Sequence, residues 1–231
     1  MQLRSVLVFA FVLLIGYSPA HAKPRSFADL VAIADGPDRK YDGFDKFDAL
    51  MAIAKFNDLR ATQELLSRLG GPQGHAAAIA LTDIDSKVAV PALAAALPKV
   101  DDWERALLCV SLGNIGGDAA VAALADRIDN DDDKWVRRRA VYALLKDAQQ
   151  RPAGPAADTL MHSLRYEELE EEIIRVLWRV GDRRAAIYVR KGLESPQAKV
   201  RIFACDWLRS RKDTASSEAL LRLAKMDKDE K

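Results

Sequence analysis

Residues 120–144 read AVAALADRIDNDDDKWVRRRAVYAL. The first half places Ala120, Val121, Leu124 and Ile128 at a spacing of three and four residues, one face of a helix. The second half does the same with Val136, Ala140, Val141 and Leu144. Between them Asp129 to Asp133 is a polar turn, and Asp133 stands where a helix N-cap belongs. The stretch is a pair of amphipathic helices, A then B.

Working outward, the pair recurs. Segments ending at Leu69, Leu97, Ile128, Leu164, Leu193 and Ala224 align as helix A. They place Leu65, Leu93, Leu124, Leu160, Val189 and Leu220 in one column, at spacings of 28, 31, 36, 29 and 31 residues. Helix B aligns on Leu81, Leu112, Leu144, Leu177 and Leu208, at spacings of 31, 32, 33 and 31. Four residues earlier lie Ala77, Leu108, Ala140, Ile173 and Ala204, and three earlier lie Ala78, Cys109, Val141, Ile174 and Cys205. All are apolar. Gly70-Gly71-Pro72, Gly116-Gly117-Asp118 and Gly181-Asp182 punctuate the array, and no sustained period-two alternation indicates a strand. One such pair cannot bury its own stripes; stacking equivalent pairs joins them into a continuous core. The expected fold is therefore all-α, an α-solenoid of stacked antiparallel helix pairs over 61–225. An N-terminal helical cap covers 23–60, and a polar tail covers 226–231.

Residues 1–22 carry Arg4, an apolar run from Val6 to Gly16, and Ala20-His21-Ala22, the three parts of a cleavable signal peptide. The apolar run is too short to span a bilayer. Cleavage after Ala22 and export, most simply to a bacterial periplasm, are the expectation. The full chain has 35 Lys plus Arg against 34 Asp plus Glu, a formal charge of +1. Losing Arg4 would leave the mature chain neutral, without the basic excess of a nucleic-acid binder.

The openings of the B helices carry a resemblance. Val136-Arg137-Arg138-Arg139-Ala140 and Val200-Arg201-Ile202-Phe203-Ala204 resemble the Val-Arg-x-x-Ala phrase of HEAT repeats. Ala89-Val90-Pro91-Ala92-Leu93 and Ala120-Val121-Ala122-Ala123-Leu124 resemble their Ala-Val-x-x-Leu phrase. The likeness is to the bacterial kind first noted in phycobilisome lyase subunits. The likeness is specific for fold and not for function, since this fold hosts many unrelated binding roles. The expected role is a binding scaffold or adaptor for another protein, with no catalysis and no cofactor. The alternatives are a subunit or chaperone of a lyase-like enzyme and a structural part of an envelope assembly. The likeness also implies an Asp–Arg ladder between units, for which Asp102 with Arg105 and Asp133 with Arg137 qualify. Arg201 supplies only the basic half, and an interruption is expected where Glu170 replaces arginine.

Other candidates for chemistry are sparse. Cys109 and Cys205 occupy the same column three units apart, too far for a disulfide, so both should be buried thiols. Of the mature chain's His75 and His162, neither is followed by the Glu that iron-binding HEAT hydroxylases use, and no metal is expected. Asp129, Asp131 and Asp133 imitate half a calcium loop, but Lys134 replaces the needed glycine and Ala140 the twelfth-position Glu, which leaves a solvated capping turn. Trp103 and Trp135 open two B helices as packing residues, or as an anchor if one is exposed. Charge is banded: Arg137 to Arg139, then Glu167 to Glu172, then Lys199 and Arg201, with Arg175, Arg179, Arg183 and Arg184 adding to the basic set. The candidate partner-binding set is Arg105, Arg137, Arg138, Glu171, Arg175 and Arg201, on B helices that in HEAT solenoids line the concave side.

Overall fold

The computed structural model describes residues 26–37, 45–151, 154–180 and 186–226. The expected signal peptide, Asp42-Gly43, the Gly181-Asp182 turn with Arg183 and Arg184, and the tail beyond Met226 lie outside the described residues. Contacts divide the chain into two units, 1–49 and 50–231.

In the first unit, α1 (Phe27–Asp35) opens on a capping box in which the Asp29 N–H donates to the Ser26 hydroxyl and the Ser26 N–H to the Asp29 carboxylate. Leu30, Ile33 and Ala34 are its buried face. Asp45 and Asp48 exchange the same pair of bonds, at 3.0 Å each, where α2 (Lys46–Ala54) begins.

The second unit is an α-solenoid. The A helices are α3 (Leu59–Leu66), α5 (Val90–Ala96), α7 (Asp118–Asn130), α10 (Pro155–Ser163), α12 (Ala186–Gly192) and α14 (Ser217–Met226). The B helices are α4 (Gly74–Leu81), α6 (Asp102–Ile115), α8 (Lys134–Ala143) continued by α9 (Leu145–Gln150), α11 (Glu170–Val180) and α13 (Ala198–Ser210). No strand occurs among the described residues. Each B helix packs on its own A helix and on the next B helix, α6 against α8 most closely. The five leucines of the B column and the five residues four positions before them are fully buried. Of the remaining B column, Cys205 alone is only partly buried, which corrects the expectation of two buried thiols.

The third B helix is interrupted at Leu144, between α8 and α9. Just before the break, α6 crosses at Gly113: a Cβ there would lie 2.5 Å from the Ala143 carbonyl oxygen and 2.8 Å from the Ala143 Cβ. Glycine lets the two backbones touch, and the helix reorients one residue later. The turn from α6 to α7 needs its glycines for another reason, since Gly116 and Gly117 have φ of 71° and 88°.

Candidate functional site

Polar side chains run along both edges of the second unit, one set through the A–B turns and one through the B–A turns. On the A–B edge the buried Glu104 of α6 accepts the Gly70 N–H at 3.0 and 3.1 Å, reaching back to the previous turn. Arg105 reaches forward. Its Nε donates to Asp131 at 3.0 Å, and its Nη1 holds the Val100 carbonyl of its own turn at 2.8 Å. Arg137, the next residue of that column, donates to the Asp131 carbonyl at 2.7 Å and to Glu168 of the following turn at 3.2 Å. Glu170 follows in the column and accepts from the Ser195 hydroxyl at 2.8 Å. Arg201 closes its own turn through the Ser195 carbonyl at 2.9 Å.

This ladder corrects the expected one. Asp133 is consumed in capping, its carboxylate accepting the Val136 N–H of its own helix. Asp101 caps α6 in the same way through the Glu104 N–H, while Asp102 turns back to the Trp103 N–H. The acids that meet the column arginines Arg105 and Arg137 across units are instead Asp131 and Glu168. At Glu170 the Asp–Arg ladder is interrupted as expected, and a hydrogen bond from the Ser195 hydroxyl takes its place.

Asp131 is the hub, its side chain 1% exposed between Arg105 and Arg127. The expectation of a solvated turn fails here. Its calcium-like partners are committed too, since Asp129 accepts from Arg165 and Tyr166. Beneath the hub, burial, with a contribution from Asp131, pushes the Cys109 thiol up to about 12, so it stays protonated at neutral pH. No group of three or more potential metal-ligating side chains occurs among the described residues.

On the B–A edge, Asn57 accepts the Asp85 and Ser86 N–H groups, Asn114 donates to the Thr82 carbonyl, and Asp147 accepts the Gly117 N–H at 2.9 Å. Arg151 clamps Asp147 and Asp118 together. Burial alone would raise the Asp147 carboxyl; hydrogen bonds from Arg151 and Gly117 outweigh it and hold it below the usual carboxylate range. Arg190 does the same for Asp213.

The exposed B-helix faces carry what remains. Arg138 pairs with Glu172 of the next unit, and Arg175 pairs with Glu171 at 2.6 Å while its guanidinium lies 4.7 Å from the centre of the Phe203 ring. Thus Arg138, Glu171 and Arg175 of the sequence-derived set share this face, whereas Arg105, Arg137 and Arg201 serve the edge. Trp103 and Trp135 occupy one column but differ. Trp103 stacks on His75 at 4.3 Å, while Trp135 is 38% exposed beneath the Arg139 guanidinium, 4.9 Å from its ring centre. Tyr142, one turn on from Arg138 and Arg139, is 37% exposed. Arg139 and Tyr142 are absent from the sequence-derived set, although their distance from Trp135, four and seven residues, was a readable signal. His162 is exposed.

Residues 73–145, from α4 through α8, match the family profile described as HEAT repeats. No curated protein matches the chain significantly.

Proposed function

We propose that this chain, whose residues 73–145 match HEAT repeats, repeats that generally mediate protein–protein contacts as scaffolds, is a non-catalytic scaffold for another protein, working outside the cytoplasm. One observation supports this most: the buried charges of both edges are spent on joining units, while the B faces present arginines, a glutamate and aromatic rings to solvent. Residues that hold the units in fixed register keep that face preformed, so association need not order the scaffold. Location rests on the signal-like first 22 residues; no helix among the described residues is long and apolar enough to cross a membrane.

Crosslinking the tagged full chain in its native cells, followed by mass spectrometry, tests the role. A specific protein should be captured, and Arg138→Glu with Arg175→Glu should abolish the capture. Equal capture by the double variant would overturn the assignment to this face, and turnover of a substrate by the purified chain would overturn the non-catalytic reading. Sequencing the mature N-terminus tests location: Lys23 is expected, and retention of Met1 would contradict export by cleavage.

A further inference from the structure

We propose that the adjoining exposed faces of α6 and α8 form a docking strip for an acidic peptide segment with an aromatic or leucine anchor, supplied by the partner protein. The proposal rests on the scaffold reading and deepens it. The strip is defined by register. Nine, five and two residues before the buried Leu112 stand Trp103, Leu107 and Val110, none of them buried; the same positions before Leu144 hold Trp135, Arg139 and Tyr142. Because α6 and α8 are the most closely packed B helices, meeting backbone to backbone at Gly113 and Ala143, the two rows lie side by side. An apolar row on α6 therefore borders an aromatic and cationic row on α8.

Charge decides the occupant. Neither row contains a carboxylate. Arg139 is exposed and makes no ion pair with a described residue; its guanidinium lies over the Trp135 ring. Arg138 beside it is answered by Glu172 of α11, and Arg137 by Glu168 of the turn before that helix, so these acids are already taken. A guanidinium lying over a ring keeps its N–H edge open and held in place, which suits bidentate bonding to a carboxylate. Trp135 and Tyr142 beside it are the residue types that anchor interfaces. A nucleic acid would need a run of cations along its phosphates, and the strip supplies one unpaired arginine in a chain of net charge +1. With neighbouring helices about 8–10 Å apart, about three extended residues reach from one row to the other.

Selection of a displayed random octapeptide library on the full chain tests this, with selected peptides then measured by fluorescence anisotropy. Enriched peptides should be net acidic and contain Phe, Tyr, Trp or Leu. Their Kd should rise at least tenfold with Trp135→Ala and with Arg139→Glu. It should be unchanged with Arg209→Glu, a control at an 81% exposed side chain on α13, and the thermal melts of all variants should superimpose on the wild type. No enrichment, enrichment of neutral or basic peptides, or affinity indifferent to Trp135 and Arg139 would overturn the strip. So would a labelled oligo-dT that binds more tightly than any peptide and depends on the same two residues. Acidic peptides that bind elsewhere would leave the scaffold reading standing, since that reading is judged separately by capture of the native partner.

Discussion

The central copies and the last copy of the repeat share one residue pattern and differ in burial. Leu112, Leu144 and the A-helix leucines Leu93, Leu124 and Leu160 are at most 1% exposed. In the last copy, Leu220 occupies the same column and is half-buried and Leu221 is 64% exposed, while Cys205 of the preceding helix α13 borders a cavity of about 370 Å³ lined also by Leu208 and Leu220. Among the described residues no helix follows α14 to cover it. Burial in a stacked array is thus a property of having neighbours on both sides, and stability should follow the same gradient.

Several substitutions would break or sharpen that contrast. The largest effect is expected from Leu112→Ala, about 4 kcal/mol by loss of a fully buried side chain; Leu220→Ala should cost much less, and equal losses in chemical denaturation would refute the gradient. Asp131→Ala should come next, at about 3 kcal/mol, because it strands Arg105 and Arg127 at a buried hub. Gly113→Ala should cost about 2 kcal/mol by pushing α6 off Ala143, measurable as a lowered Tm.

Acid should act on the centre and on the end of the array alike. Asp147 in the centre and Asp213 near the end have carboxyls held below the unfolded value, about 3.9 for Asp. A depressed folded value means that their stabilisation is complete above the unfolded value and is lost as pH falls through the folded one. The Tm should therefore drop between about pH 5 and pH 3, and Asp147→Asn should flatten that drop; an unchanged slope would show that Arg151 does not hold the ionised form. The smallest effect is expected at the exposed pair Arg209 and Asp206, where Arg209→Ala should change stability by less than about 0.5 kcal/mol.

The helix pairs were legible in the sequence because burial repeats at three and four residues and every column is apolar. What joins the pairs was not. Asp133 and Asp131 are two residues apart, yet one caps its own helix and the other binds across units, and only the path of the turn separates those roles. The close approach of Gly113 to Ala143, just before the break at Leu144, was hidden because it joins residues of two different helices. The candidate site was half legible: Arg138, Glu171 and Arg175 lie on the open face, whereas Arg105, Arg137 and Arg201 were recruited to the turns. Trp103 and Trp135 could not be told apart, since His75, which stacks on one of them, stands 28 residues before it.

Hydrogen–deuterium exchange with peptide-level resolution tests the stacked-unit account most directly. The account predicts the slowest amides in 104–148, where each helix pair has a neighbour on either side, and the fastest among the described helices of the second unit in α14. Uniform protection across the array, or protection of α14 equal to that of α6 and α8, would contradict it.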